Sequence, residues 1–362
     1  MRRTGPLIVG GGPAGAAAAI ALAAAGERPL LLERTAETGD ALCGGFLSWR
    51  SLAALARLGI EADALNRERI GEVRVFAGGR RAVAPLPWPA LAVSRRTLDA
   101  ALLAQVDAVE RGVAVRSVED GALRLADGAA LMPAALFLAT GKHDLRGLAR
   151  PAAARGSDPT LGLRVRLPGS PALDRLVGPA IELHLFARGY AGIARQEDGG
   201  VNLCMAVHRS RLDAAGSPAA LLAMLAAEAP DLGERLSFMT SEPVQAVANV
   251  PYGWRARAGT AGLFRLGDQA AVIPSLAGEG MGIALASGIA AAGAHARGGG
   301  AAARAWQPHF AARVRRPMAV AGLLRRLAEG AAAPWLVRAA TPGLIQIMAA
   351  ATRIDHDAPT GA

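Results

Sequence analysis

The sequence has few of the residues on which disulfide frameworks and metal centres depend. Among 362 residues there are two cysteines, Cys43 and Cys204, and they lie far apart in the chain. Two such cysteines form neither a disulfide framework nor a metal-ligand cluster. The six histidines show no ligand spacing either. We therefore expect no metal site.

Long apolar runs and lysine are also scarce. No run reaches the roughly 18 apolar residues of a membrane-spanning helix. Lys142 is the only lysine, so the net charge of +10 comes from arginine. Because the arginines are scattered and form no stripe, we expect no nucleic-acid partner. The densest group is Arg313, Arg315, Arg316, Arg325 and Arg326. We interpret this group as a solvated helix face; the alternative is peripheral contact with acidic lipid or an acidic substrate.

Composition otherwise indicates a globular protein. Hydrophobic residues make up 52% of the chain and charged residues 19%, which is not typical of disorder. The length is enough for two connected domains. Met1-Arg2-Arg3 before an alanine-rich stretch has features of an export signal. Glycines interrupt that apolar stretch, however, so we expect a mature N-terminus and a cytoplasmic protein.

Residues 7–33 contain the strongest motif. A short apolar run predicts a buried strand, and an alanine-rich helix and a second apolar strand follow. A G-x-G-x-x-G pattern joins the first strand to the helix, and Glu33 ends the second strand. In this order the elements form the βαβ fingerprint of dinucleotide binding. The pattern comprises Gly10, Gly12 and Gly15, with Pro13 and Ala14 at the start of the helix.

Each position of this motif has a physical reason. Gly10 allows the tight turn, Gly12 lets backbone approach a pyrophosphate, and Gly15 lets the helix pack closely on the strand. The helix start offers free N–H groups to phosphates. The Glu33 carboxylate can accept hydrogen bonds from the hydroxyls of an unphosphorylated ribose. The motif therefore predicts an ADP-bearing cofactor.

Residues 266–288 contain a second glycine-rich motif. It follows a predicted strand and precedes a helix whose start again presents free N–H groups. Asp268 can bind a hydroxylated chain such as ribityl, and the helix start can stabilise negative charge on a reduced isoalloxazine. The cofactor-binding positions predicted here are Gly267, Asp268, Pro274, Gly278, Gly280, Met281 and Gly282.

Together the two motifs resemble those of the p-hydroxybenzoate hydroxylase-like FAD superfamily, and its geranylgeranyl reductase-like branch is the most similar. Residues 41–45 resemble the C-G-G segment that follows the ribose acid in those reductases. Residues 95–99 resemble their R-x-x-(F/L)-D element, whose first arginine faces FAD. Residues 189–202 resemble their substrate-domain hairpin but lack its usual tryptophan. The resemblance implies FAD as cofactor, with further contacts from Arg34, Cys43, Gly44, Arg95, Thr140 and Gly141.

The sequence departs from this family after the strand that ends near residue 139. Flavin hydroxylases of the superfamily, and many of the reductases, have an Asp-Gly segment there, whereas this chain has charged residues at 142–146. These charges indicate either a site for pyridine-nucleotide phosphates or an acidic substrate, or a solvated loop with an internal ion pair. The departure counts against ordinary hydroxylation with NADPH. Because no second G-x-G-x-x-G is evident, NAD(P)H binds transiently or a partner protein donates the electrons.

These features predict an α/β fold: a Rossmann-type FAD-binding domain, a β-rich inserted substrate domain and a helical C-terminal tail. We assign residues 1–70, 93–155 and 255–300 to the FAD-binding domain, 71–92 and 156–254 to the substrate domain, and 301–362 to the tail. We also expect a helix that ends near Glu110, and breaks in the tail at Pro317, Pro334 and Pro342.

Few side chains are candidates for chemistry, because in this family the flavin reacts while the protein binds and orients. Cys43 is the best candidate to lie near the flavin, as a gate or a proton donor; a buried inert thiol is the alternative. His143, the only histidine near a cofactor motif, is a candidate general acid. Tyr190 and Trp254 are candidate substrate residues, with packing as the alternative. Cys204 is expected in the core.

Three functions stay open. The first is an FAD-dependent reductase or dehydrogenase acting on C=C bonds of an apolar isoprenoid or polyketide-like molecule. The second is a flavin monooxygenase that hydroxylates an aromatic or polyketide substrate. The third is a non-catalytic nucleotide-binding or membrane-surface protein. The C-G-G segment favours the first, and the presence of Gly12, Glu33 and Asp268 together argues against the third.

Overall fold

The computed structural model describes residues 5–241 and 243–355. Its strands, in chain order, are β1 (Pro6–Val9), β2 (Leu30–Glu33), β3 (Phe46–Leu47), β4 (Ile70–Ala77), β5 (Arg80–Ala92), β6 (Val109–Arg111), β7 (Val115–Glu119), β8 (Ala122–Leu125), β9 (Ala130–Leu131), β10 (Ala135–Leu138), β11 (Thr160–Leu167), β12 (Ala180–Phe186), β13 (Gly189–Arg195), β14 (Val201–His208), β15 (Gln245–Val250) and β16 (Leu263–Arg265).

The helices alternate with these strands and then dominate the C-terminal region. They are α1 (Pro13–Ala24), α2 (Trp49–Arg57), α3 (Ala62–Leu65), α4 (Arg95–Leu103), α5 (Pro171–Val177), α6 (Arg209–Ala215), α7 (Pro218–Glu228), α8 (Pro230–Leu236), α9 (Gly280–Gly298), α10 (Ala303–Arg313), α11 (Arg315–Ala328), α12 (Ala333–Ala339) and α13 (Pro342–Ala351). No helix in the described ranges is long and apolar enough to cross a membrane.

A five-stranded sheet in the order β16-β10-β1-β2-β6 pairs all its neighbours in parallel. Its inner strands β1, β2 and β10 are nearly continuous apolar runs because both of their faces are covered. On one face, Ile8 and Phe137 pack in a core shared with α1 and α9. On the other face, Leu7, Val9 and Leu136 pack against the small sheet β7-β8-β9. Because both faces of β1 are buried, its sequence is an unbroken apolar segment.

Helices α1 and α9 approach each other at backbone distance. A Cβ added to Gly288 in α9 would lie 2.4 Å from the carbonyl oxygen of Ala14 in α1. A Cβ added to Gly15 would lie 1.9 Å from the carbonyl oxygen of Gly10. Both distances are far below a van der Waals contact, so these positions accept only glycine. The small residues therefore fix how the first helix sits on the sheet and on α9.

The second large sheet has eight strands in the order β15-β11-β14-β13-β12-β4-β5-β3. Its strands pair antiparallel except β12 with β4. One face packs on α5, α7 and α8 through side chains such as Leu203 and Leu225. On β12, Glu182 and His184 are buried on one face, whereas Leu183 points to the cavity described below. Period-2 alternation thus separates a helix-covered face from a cavity face.

A charged network attaches the tail to this sheet. Glu329, at the end of α11, accepts from Arg325 Nε at 2.7 Å, and its other oxygen lies 3.0 Å from His208 Nε2 on β14. Arg325 also donates to Thr160 Oγ1 at 2.8 Å, and its guanidinium lies 4.8 Å from the ring centre of Tyr252. These contacts hold α11 over the cavity face of the sheet.

The predicted fold class is confirmed, with one local correction. The helix predicted to continue to Glu110 ends at Leu103, because Val109–Arg111 forms an edge strand paired with β2. The tail breaks near all three predicted prolines: α10 ends at Arg313 and α11 begins at Arg315, so Pro317 lies in the first turn of the new helix, where proline is tolerated. Pro334 and Pro342 likewise mark the starts of α12 and α13. The domain boundaries stay a prediction, although β3, assigned to the FAD-binding part, pairs with β5.

We predict that Gly288→Ala destabilises the protein by about 1–3 kcal/mol, because the new methyl forces α9 away from α1. The matched control is Gly293→Ala in the same helix, where a Cβ would meet only an arginine nitrogen at 3.5 Å. The control should be neutral or stabilise by up to about 1 kcal/mol through helix propensity. Urea unfolding measures both, and equal effects would contradict the close-packing argument.

Candidate active site

The carboxyl ends of β1, β2, β10 and β16 meet at one edge of the parallel sheet, where this class of fold binds ligands. A cavity of about 1200 Å³ begins there. Most predicted cofactor positions line it: Gly10, Gly12, Pro13, Ala14, Glu33, Arg34, Cys43, Gly44, Arg95, Thr140, Gly141, Gly267, Asp268, Gly278, Gly280 and Met281. Gly15, Pro274 and Gly282 do not line the cavity. They lie in the backbone segments that surround it.

Glu33 is fixed at the tip of β2. Its Oε2 accepts from the Gly11 N–H at 2.7 Å, and its Oε1 accepts from the N–H and hydroxyl of Thr35 at 2.9 and 2.8 Å. Burial raises the pKa of Glu33, but these hydrogen bonds outweigh it and leave the pKa below its usual value. The carboxylate is therefore ionised at neutral pH and suited to bind ribose hydroxyls.

Arg95 places a cation beside the glycine loop. Its Nε and Nη2 donate to the two carboxylate oxygens of Asp99 at 2.8 and 2.6 Å. A Cβ on Gly12 would lie 3.1 Å from Nη2 of the same arginine. Asp40 accepts from the Arg95 N–H at 3.0 Å and pairs with Arg164 on β11 at 3.0 Å. The bidentate pair holds the guanidinium where a pyrophosphate needs positive charge.

Ion pairs hold the charged loop after β10. Lys142 Nζ lies 3.5 Å from the Asp268 carboxylate, and that attraction raises the pKa of Lys142. The buried Arg150 donates to the Asp144 carboxylate at 2.7 Å, and to the carbonyls of Lys142 and Asp268 at 2.6 and 3.0 Å. The geometry favours the interpretation as a loop with ion pairs, and it gives Asp268 a cationic neighbour at the cofactor site.

His143 lies at the adenosine end of the site. Its Nε2 is 2.9 Å from Nη2 of Arg34, the residue that follows Glu33. Burial lowers the pKa of His143, and the Arg34 charge lowers it further. A neutral imidazole that accepts from Arg34 has no proton on that nitrogen to give. The predicted role of His143 as a general acid at the flavin is therefore not supported.

The two cysteines, far apart in sequence, meet in the cavity wall. Asn202 Nδ2 donates to the carbonyls of Cys43 and Gly44, each at 3.0 Å, and the Cys204 thiol lies 3.0 Å from the Cys43 carbonyl oxygen. Burial raises the pKa of Cys204 to about 12, so it stays a thiol. Both cysteines are free. Cys204 was expected in the core, but it lines the cavity instead.

A buried ion pair beneath the flavin motif was not predicted. The Glu279 side chain is 0% exposed; its Oε2 accepts from Arg353 Nη1 at 2.6 Å and from Ser48 Oγ at 3.1 Å. Burial raises the pKa of Glu279, and the Arg353 charge opposes that rise. A Cβ on Gly282 would lie 2.4 Å from Glu279 Oε1, which explains the glycine. The G-E-G letters were visible in the sequence, but nothing there indicates an arginine 74 positions later.

Three hydroxyls form a chain in the cavity wall next to Pro274. Ser275 Oγ lies 2.6 Å from the Tyr190 hydroxyl and 2.7 Å from the Tyr252 hydroxyl. Burial raises the pKa of Tyr190 well above its usual value. Tyr190, Tyr252 and Ser275 line the cavity, whereas Trp254 does not. The predicted substrate position at Trp254 is therefore not supported, and Tyr252 lies in the wall two residues earlier.

Beyond the hydroxyls the cavity is aliphatic. One wall is the cavity face of the eight-stranded sheet, and the other consists of the tail helices α11, α12 and α13. The sheet contributes Val73, Val75, Ile181, Leu183 and Leu185. The tail contributes Leu324, Val337, Ile345 and Met348. This apolar part is continuous with the part that carries the cofactor motifs.

Residues 3–144 match a family model described as an FAD binding domain. Solved structures with a similar fold include pqsL, a probable FAD-dependent monooxygenase from Pseudomonas aeruginosa (17% identity, TM-score 0.72, 94% of this chain and 100% of that chain). A geranylgeranyl bacteriochlorophyll reductase-like protein from Thermoplasma acidophilum (17%, 0.72, 96% and 92%) is another. The flavin-dependent brominase Bmp2 (16%, 0.72, 98% and 95%) is a third. Comparison with curated proteins gives no significant match.

The matched domain and the fixed Glu33, Arg95 and glycine loop define the class of site: residues 3–144 contain an FAD-binding domain, as the motifs predicted. The fold as a whole is shared with flavoprotein structures that are 16–17% identical in sequence. The residues present fit the cofactor, since Gly12 leaves space beside Arg95 and Glu33 presents an ionised carboxylate. Monooxygenase, halogenase and reductase structures share this fold, so the fold by itself does not select the reaction.

We predict that Glu33→Gln lowers FAD affinity about 10- to 100-fold, because the amide is uncharged and turns one donor towards the Gly11 N–H. FAD fluorescence quenching on the apoprotein gives the affinity. Glu37→Gln is the matched control: the same change at an exposed position on the same loop. Unchanged affinity in Glu33→Gln would contradict the ribose assignment.

We predict that Arg353→Met destabilises the protein by about 3 kcal/mol or more, because it leaves the Glu279 carboxyl buried without its cation. Glu279→Gln combined with Arg353→Met should recover part of that loss, as expected for coupled partners. Chemical denaturation measures both, and Arg304→Met provides an exposed control on α10. Additive effects in the double variant would show that the pair is not coupled.

Proposed function

We propose that this protein is an FAD-dependent oxidoreductase that reduces or dehydrogenates C=C bonds of an elongated apolar molecule, isoprenoid or polyketide-like in character. One observation carries the proposal: the aliphatic half of the cavity opens directly into the half that holds the FAD motifs. A flexible hydrocarbon chain gains about 25 cal/mol for each Å² of apolar surface that it buries. An elongated apolar substrate is therefore the class that this wall binds most favourably.

Charge distribution supports an uncharged substrate. The charged side chains of the lining lie around the cofactor motifs, except Arg353, which is paired with Glu279. A charged group carried into the aliphatic half would lose its hydration without gaining a partner. A polar head group is compatible only with the end near Tyr190 and Tyr252, where hydroxyls are available.

Reduction of a C=C bond adds one hydride and one proton, and dehydrogenation removes both. Bound FAD supplies or accepts the hydride. We assign the transfer of the proton to three linked hydroxyls, in which Ser275 Oγ lies within hydrogen-bonding distance of both Tyr190 and Tyr252. The raised pKa keeps Tyr190 protonated at neutral pH, and the half-buried Tyr252 gives the chain a route to solvent. Each hydroxyl can pass one proton as it receives another.

Cys43 keeps a role as a gate in this proposal. It lines the cavity, and Asn202 and Cys204 hold its backbone carbonyl in the wall. A thiol in that position can limit how far a substrate enters without taking part in proton transfer. In this proposal the hydroxyls of Tyr190, Ser275 and Tyr252 donate the proton, and the Cys43 thiol does not.

A flavin monooxygenase is the second candidate. The probable monooxygenase pqsL is matched over its whole length, which supports a shared architecture. The ion-paired loop at Lys142, which replaces the Asp-Gly segment, counts against it. For either reaction we propose that NAD(P)H binds transiently or that a partner protein supplies electrons. The proposed compartment is the cytoplasm.

The decisive experiment uses the FAD-loaded protein, photoreduced without oxygen and mixed with a C20 polyprenyl alcohol. We expect the flavin absorbance to recover with the substrate and a product heavier by two hydrogens in mass spectrometry. No recovery without oxygen, together with a product heavier by one oxygen atom when oxygen is admitted, would establish the monooxygenase instead. Because oxygen by itself reoxidises reduced flavin, the product decides the outcome: formation of neither product would overturn both proposals for this substrate class.

We predict that Leu183→Trp lowers turnover of the C20 substrate more than tenfold, because the indole fills the space between β12 and the tail helices. FAD content and the rate of photoreduction should stay unchanged. A C5 or C10 analogue is the control, since a short chain needs less of the aliphatic part. Equal losses for long and short substrates would show that the aliphatic part does not hold the substrate.

A further inference from the structure

Apolar side chains of the tail lie in solvent around the opening of the aliphatic cavity. Leu323, Leu327, Leu336 and Leu344 line the cavity and are also exposed. Two further apolar side chains do not line the cavity and are more exposed: Trp335 is 63% exposed and Ile347 is 61% exposed. We call these six residues the mouth surface. Exposed large apolar groups that gather at one site indicate an interaction surface.

The geometry of α11 adds arginine to the same face. Arg316, Leu323 and Leu327 are seven and four positions apart, so they lie on one stripe of the helix. Arg316 and Arg326 are both exposed. The guanidinium groups of Arg80 on β5 and Arg338 on α12 lie 5.2 and 6.0 Å from the centre of the Trp335 ring. Arginine side chains therefore lie beside the exposed apolar side chains of the tail.

The tail has a strong imbalance of charge. Residues 301–355, the described part of the tail, contain eight arginines and two acidic residues, Glu329 and Asp355. The Asp355 carboxylate, after the last helix, lies 3.4 Å from Arg50. Glu329 is bound to Arg325 and His208 on the side that faces the sheet. Among the described residues of the tail helices, the mouth surface therefore faces outward with positive charge only. This is the complement of an anionic surface.

We propose that the mouth surface docks on an anionic phospholipid bilayer. Trp335, Ile347 and the leucines would enter the boundary between head groups and acyl chains, and the arginines would contact lipid phosphates. Tryptophan and arginine are the residues that prefer this boundary, one for its amphipathic ring and the other for its long stem. The docked cavity then opens towards the bilayer.

A lipid surface fits these features better than a second protein. The mouth surface lies at the cavity opening beside the exposed arginines Arg316 and Arg326, and a bilayer can accommodate the apolar groups, the positive charge and the opening at once. The network of Arg325, Glu329 and His208 holds α11 on the sheet, so the surface is preformed. Docking stands independently of the reaction, whereas delivery of an apolar substrate from the bilayer rests on the proposed function.

The test is co-sedimentation of the FAD-loaded protein with vesicles of phosphatidylglycerol and phosphatidylethanolamine, compared with pure phosphatidylcholine, without substrate. We expect binding to the anionic vesicles that weakens with salt. Arg316→Glu with Arg326→Glu should lower the partition coefficient tenfold or more. Trp335→Ser with Ile347→Ser should lower it similarly, and neither pair should change turnover of a short substrate in solution.

Matched controls lie on helices that cover the opposite face of the eight-stranded sheet. Met224→Ser on α7 and Arg175→Glu on α5 make the same chemical changes at exposed positions, and they should bind vesicles like wild type. The proposal is overturned if wild type ignores anionic vesicles, or if controls and variants lose binding equally. It is also overturned if light scattering shows that the mouth-surface variants dissociate a dimer. Vesicle binding without turnover of polyprenyl alcohols would sink the proposed function and leave the docking surface intact.

Discussion

The close approach of α1 to α9 is the constraint on which the site depends. The N-terminus of α1 follows the glycine loop, and the N-terminus of α9 follows the second glycine-rich loop. Both helix starts can face one cofactor only if the helices cross at backbone distance, and Gly288 makes that crossing possible, while Gly15 lets α1 pack closely on the loop after β1. Larger side chains would separate the two helix starts, and with them the two ends of the FAD site.

Buried charge organises the surroundings of that site. Asp99 holds Arg95, Arg150 connects the loop after β10 to Asp268, and Arg353 closes on Glu279. The contacts of Arg150 and Arg353 join segments that are distant in sequence, whereas Arg95 and Asp99 lie one turn apart in α4. The pairs Arg95–Asp99 and Arg353–Glu279 are costly to break, because the remaining partner would be left buried and uncompensated. The tail is consequently part of the active site: it supplies Arg353 beneath the flavin motif and one wall of the aliphatic cavity.

The cavity itself follows from how the two sheets are placed. Parallel strand ends provide the polar half, and the period-2 alternation of β12 provides the apolar half. The sequence contained both patterns, but residues 181, 183 and 185 could not be recognised as substrate-facing until the opposite face was seen to pack on helices. The sequence likewise did not show which aromatic residue near position 254 faces the cavity. In the structure it is Tyr252, whose hydroxyl contacts Ser275, and not Trp254.

The sequence by itself determined the FAD-binding domain and the fold class, and most of the cofactor positions predicted from it line one cavity. Those features are local: a strand, a glycine turn, a helix start and an acid in fixed order specify the same geometry wherever they occur. The tertiary structure decided what local pattern cannot encode, because partners such as Cys43 with Cys204, or Glu279 with Arg353, are far apart in the chain and are brought together only by packing. It also decided that Arg316 shares one face of α11 with the exposed Leu323 and Leu327 at the mouth of the cavity.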